Sequence, residues 1–175
     1  MMIYLHNFII TFTNNLIQAI WAMGRLKIDD RKVMFPLAMK ASQIAWAENF
    51  NSQELANIIW GLSKTDFTDE MVISILTKQM RDERITQHST PQEAANVMYA
   101  LGKMYVRDEE TFSCMNSIVM RNLDQATTQT IANTLWAHDR VNLTPPQQMF
   151  DSWAKEKLDI IGLYVDDQKV EVMED

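Results

Sequence analysis

Four twelve-residue strings in this 175-residue chain repeat one set of chemical groups at fixed places: NNLIQAIWAMGR (residues 14–25), QELANIIWGLSK (53–64), QEAANVMYALGK (92–103) and QTIANTLWAHDR (129–140). The aromatics Trp21, Trp60, Tyr99 and Trp136 are spaced 39, 39 and 37 residues apart. Three residues before them stand the amides Gln18, Asn57, Asn96 and Asn133, and four after them the cations Arg25, Lys64, Lys103 and Arg140. The residue directly after the aromatic is small in every copy: Ala22, Gly61, Ala100, Ala137. A helix turns about 100° per residue, so positions −7, −3, 0 and +4 from the aromatic share one sector. Stacked copies turn these columns into ladders of amide, ring and cation. Such a face suits single-stranded nucleic acid, with cations on phosphates, rings on base faces and amides on base edges. The same residues also serve packing: amides hold repeats in register, rings wedge between helices, and a cation near a helix C-terminus favours the dipole.

The elements that must carry these columns read as helix pairs. In the second and third copies, positions −5, −1, +2 and +3 hold Leu55, Ile59, Leu62 and Ser63, then Ala94, Met98, Leu101 and Gly102, a buried side opposite the ladder. Asn51 with Glu54, and Thr90-Pro91 with Glu93, have capping-box spacing and mark the starts of two first helices, here called A. A polar break follows each cation, with an acid nine residues after the aromatic (Asp30, Asp69, Asp108), and then a second helix, B. Its apolar positions include Met71, Ile75 and Leu76 in one copy and Phe112, Met115 and Val119 in the next. Thr144-Pro145-Pro146-Gln147 opens the last helix B, continuing through Met149, Phe150 and Trp153. Residues 3–12 read as helix B of a preceding partial repeat. The expected fold is therefore all-α: a solenoid over residues 1–162, with a partial repeat at 1–13 and full repeats starting near 14, 53, 92 and 129. Residues 163–175 form an acidic tail. One helix pair cannot bury its own apolar face, but a stack of four can.

Composition narrows the function. One cysteine, Cys114, permits no internal disulfide and no cysteine zinc site, and His6, His88 and His138 are scattered, so no metal centre and no cofactor are expected. Cys114 reads as a small buried hydrophobe, and His138 falls in the column of Met23, Leu62 and Leu101, a core position. Glu109-Glu110 and Asp166-Asp167 are adjacent in sequence, so their side chains diverge. There is no phosphate loop and no hydrolase or metalloprotease motif, and no enzyme is expected. Net charge is −7, but the tail holds five acids and one lysine, leaving 15 basic and 18 acidic residues elsewhere. Polar residues interrupt the uncharged N-terminal 24 residues, so no membrane span is expected, and no secretory or transit signal is visible.

The strings QELANIIWGLSK and TPQEAANVMYALGK resemble the octotricopeptide repeats and the related heptatricopeptide and FAST-kinase-like repeats, which share an A-N-x-x-W/Y-A-L-x-K core. The resemblance covers nearly all of residues 14–162. It implies a non-catalytic, single-stranded RNA-binding protein acting in RNA maturation, stability or translation in mitochondrion or plastid; without it, only a soluble intracellular place is implied. The nuclease-like C-terminal module of that family has no counterpart here. In this reading the four cations contact phosphates, and Gln18, Asn57, Asn96 and Asn133 contact bases or set the register. The alternative is a protein scaffold whose face docks a partner in a larger assembly. Acids such as Glu54, Asp66 and Asp139 interrupting the basic stripe would favour it.

Overall fold

The computed structural model describes residues 2–47, 50–65, 67–149 and 151. Its helices are α1 (Met2–Leu26), α2 (Arg31–Trp46), α3 (Ser52–Ser63), α4 (Glu70–Met80), α5 (Glu83–Thr86), α6 (Pro91–Lys103), α7 (Glu109–Arg121) and α8 (Thr128–Arg140), with no strand among the described residues. The helix-pair solenoid is therefore present. Helices α1, α3, α6 and α8 are the A helices, and α2, α4 and α7 are the B helices.

The start signals act as their chemistry requires. Asn51 accepts from the Glu54 backbone N–H at 2.9 Å, and the Glu54 carboxylate accepts from Asn51 N–H at 2.8 Å. Thr90 and Glu93 close the same box on α6, with Pro91 in the first turn. The acids nine residues after the aromatic are the N-caps of the B helices: Asp30 on α2, Asp69 on α4 and Asp108 on α7. Each meets two needs of a helix start, an acceptor for an orphan N–H and a negative charge at the dipole's positive end.

Two expectations about helices change. Residues 3–12 are not a separate helix: α1 runs unbroken through residue 13 because no proline or glycine lies between residues 2 and 23. In α4 the buried residues are Val72, Ile73, Leu76, Thr77 and Met80, while Met71 is 55% exposed and Ile75 half-buried. The helix is turned so that Val72 and Ile73, not Met71 and Ile75, enter the core beside Leu76. The last helix B begins at residue 147 with Met149 buried; Phe150, Trp153 and the acidic tail lie outside the described residues.

The A helices form one row, α1 on α3, α3 on α6 and α6 on α8. Leu55, Ile59 and Leu62 of α3, and Ala94, Met98 and Leu101 of α6, are buried as their columns foretold. Burying one such large aliphatic side chain stabilises the fold by about 2 kcal/mol. The small residues let backbones meet. A Cβ on Gly24 would lie 2.7 Å from the Cα of Gly61, and one on Gly102 would lie 2.9 Å from the Cα of Ala137. The B row is looser: α2 packs on α4, but α4 and α7 meet along a short seam beside which α5 sits. A stack tighter on one side curves toward that side, so the A helices line the inner face.

Candidate nucleic-acid interface

The inner face carries the predicted columns. Asn14, Gln53, Gln92 and Gln129 at position −7 are exposed, as is Gln18; Asn57, Asn96 and Asn133 are half-buried. None of these amides hydrogen-bonds another described residue. Gln92, Asn96, Gln129 and Asn133 line a cleft of about 150 Å³ between α6 and α8, with Thr127 and Thr130 at its rim. An amide that set the repeat register would have to bond a neighbouring helix. Within the described residues these do not, and their donors and acceptors are open to a ligand.

The rings pack on one another. Trp21 stacks on Trp60 at 6.3 Å between centroids, and Tyr99 meets Trp136 at 4.7 Å. The cations join this column and are not equivalent. Arg25 is exposed. Lys64 Nζ stands 5.1 Å from the Trp60 ring centre and 4.8 Å from that of Tyr99. Its burial, and then the charge of Lys27, pull its pKa below the usual lysine value. Lys103 is half-buried. Arg140 lies 5.6 Å from the Trp136 ring and 4.4 Å from that of Tyr105, with its Nε buried and without a hydrogen-bond partner among the described residues.

Another column escaped the sequence reading. Six residues after the aromatic, Lys27, Tyr105 and Asn142 adopt φ of 54°, 56° and 55°. The next N–H in each case (Ile28, Val106, Leu143) bonds back at 2.9 Å to the carbonyl of Met23, Leu101 or His138, closing the helix end. Glycine normally fills that left-handed place; another residue there costs about 1 kcal/mol. What is gained is a side chain aimed at the next repeat's cation. Lys27 acts on Lys64, and Tyr105 covers Arg140. No residue type marks this column, so only its spacing could have revealed it.

The acids lie largely elsewhere. Glu54 and Glu93 are held in capping boxes. Asp30, Asp69, Asp82 and Asp108 cap outer-row helices. Glu109 pairs with Arg107, and Glu110 with Arg81. Asp139 is exposed beside Arg140; Asp66 lies outside the described residues. The remaining candidates sit apart from this face. Cys114 is half-buried, and burial pushes its thiol pKa up, away from a reactive thiolate. His138 is buried; its Nδ1–H donates to the Thr134 carbonyl at 2.8 Å, and Nε2 accepts from Asn116 at 3.0 Å, the pattern of a neutral ring. Among the described residues no acid, histidine or cysteine group has a metal-site arrangement, and no helix is long and apolar enough to cross a membrane.

A helix-pair solenoid with amides, rings and cations along its inner face defines a class: an α-helical repeat protein with a polar, ring-bearing inner face. Comparison with known families makes this specific. The chain belongs to the RNA-editing substrate-binding complex 6 protein family, whose sequence profile matches residues 8–168. This corrects the resemblance to the octotricopeptide, heptatricopeptide and FAST-kinase-like repeats. The shared A-N-x-x-W/Y core reflects the common demands of stacked helix pairs, and the membership lies with an RNA-associated helical family of its own. No curated protein matches the chain.

Proposed function

We propose that this protein is a non-catalytic, single-stranded RNA-binding component of an RNA-editing substrate-binding complex, acting in the mitochondrion. One observation carries the reading: a column of amides with no hydrogen-bond partner among the described residues runs beside rings and cations on one face. The family membership supports the same assignment. Arg25, Lys64, Lys103 and Arg140 supply the phosphate contacts, and Gln18, Asn57, Asn96 and Asn133 face the bases. The test is binding of the purified chain to a random single-stranded RNA pool at two salt concentrations. Affinity should fall steeply with salt, because each neutralised phosphate releases counterions. Changing the four cations to alanine should abolish binding and leave the helical circular dichroism unchanged. Binding that survives this change would remove the ladder as the site.

A second surface supports a protein partner within the complex. Trp46 is 67% exposed at the end of α2, and Val33, Phe35 and Met71 are exposed on the same outer row. These exposed large apolar side chains, at both ends of α2 and the start of α4, offer places for association. The outer row would hold the assembly while the inner row holds RNA.

A further inference from the structure

The aromatic column is broken once. Trp21 and Trp60 form one stacked pair and Tyr99 and Trp136 another, but between Trp60 of α3 and Tyr99 of α6 stands an ammonium instead of a ring contact. Resting on the RNA reading above, we propose that this break is a base-binding slot: one nucleobase inserts between Trp60 and Tyr99 in place of Lys64 Nζ, which moves to the neighbouring phosphate.

Three observations converge on it. The distances of Nζ to the two ring centres, 5.1 and 4.8 Å, fall within the range at which aromatic rings stack. A flat base that takes the place of the ammonium would lie within contact reach of both rings. The exchange is also balanced. A base on two rings replaces two cation–π contacts of comparable worth, and the ammonium leaves a desolvated place near Lys27 for a phosphate. Finally, Asn57 and Asn96 lie one helical turn before the two rings, half-buried and without hydrogen-bond partners among the described residues. They are placed to bond the edge of the inserted base. The other ring pairs are closed, so stacking is confined to this step of the array.

The test compares two oligonucleotides of equal length and charge, oligouridine and the same backbone with abasic sites throughout, binding to the full chain. The slot predicts at least tenfold tighter binding of oligouridine, and ultraviolet crosslinks from 5-bromouridine that map to Trp60 or Tyr99. Tyr99→Leu should erase the preference while abasic binding stays unchanged. Lys64→Ala, which empties the slot without touching a ring, should keep the preference and lower the salt slope by about one phosphate. Equal affinity for the two oligonucleotides, or crosslinks mapping elsewhere, overturns the slot and leaves the RNA reading standing. Failure of the unaltered chain to bind either one overturns both.

Discussion

The two rows of helices are held by different forces. On the inner row, backbones meet at Gly24, Gly61, Gly102 and Ala137, and rings stack above them. On the outer row, the seam of α4 and α7 adds a charged cluster to the apolar core that both helices enter. Arg81 reaches both Asp108 carboxylate oxygens, at 3.1 and 2.9 Å, the Thr111 hydroxyl at 2.8 Å and Glu110 at 3.3 Å, and Arg121 of α7 donates to the Thr86 carbonyl of α5 at 2.9 Å. Steric contact fixes the separation of two backbones and is indifferent to salt. Ion pairs tolerate small displacements and weaken with ionic strength. The face proposed to bind RNA is thus built on the contact whose spacing depends least on salt.

The comparison breaks most severely at Gly61. A Cβ there would meet the Ile20 carbonyl oxygen at 2.8 Å, and Ile20 is fully buried in α1. Removing a helical glycine from an open site would gain about 1 kcal/mol. Here Gly61→Val should instead cost about 3 kcal/mol or more, because overpacking must move a backbone. Thermal unfolding should show a fall of about 6–12 °C, unchanged in high salt. Next comes the outer row. Arg81→Ala removes a half-buried hub and should cost about 1–2 kcal/mol. Most of that cost should vanish in 1 M salt, and a salt-independent loss would mean that the arginine stem, not its charge, joins the helices.

The outer row should also reveal itself through pH. Burial raises the Asp108 pKa, but the Thr111 backbone N–H and hydroxyl, the Thr77 hydroxyl and Arg81 outweigh it, and the net direction is downward. That stability is complete above the ordinary carboxylate range and is lost as pH falls through the folded value. On the inner row, His138 of α8 works in a higher window. Burial lowers its pKa below 6.5 against the opposing Thr134 hydrogen bond, so the unfolded chain takes up the proton first. Stability is fully present above pH 6.5 and declines as pH falls through the folded value. His138→Leu, which installs the residue of the second and third copies, should flatten the unfolding temperature between pH 7 and 5. The smallest effect is expected at Lys27. Lys27→Gly relieves its left-handed backbone and the repulsion of Lys64, raising stability by about 1 kcal/mol in calorimetry.

Period and caps were readable because they depend on local chemistry. Asn51 with Glu54, Thr90 with Glu93, and the acids at Asp30, Asp69 and Asp108 each satisfy a helix start within a few residues of themselves. The inner-face columns were readable for the same reason, since 3.6-residue periodicity fixes which positions share a sector. Rotation of α4 about its axis was not, because neighbouring apolar residues Met71, Val72 and Ile73 satisfy two helix phases and only packing on α2 and α3 decides between them. The unbroken α1 was missed because Thr13, Asn14 and Asn15 look like a break, yet none of them forbids helical backbone. The Lys64 position between two rings depends on the offset of one helix against the next, which no single repeat encodes.

A glycine against a glycine presents no side chain to interlock, so Gly24 on Gly61 behaves as a knuckle joint: it fixes how far apart two links sit and leaves their tilt free. On the far side of that joint α2 packs on α4, and at the next joint along, opposite α3 and α6, Arg81, Asp108 and the spacer helix α5 set the tilt. The molecule resembles a watch strap whose pitch is machined and whose bend is electrostatic. Small-angle scattering at rising salt should see the arc change radius while the distance from one ring pair to the next along the strap holds constant.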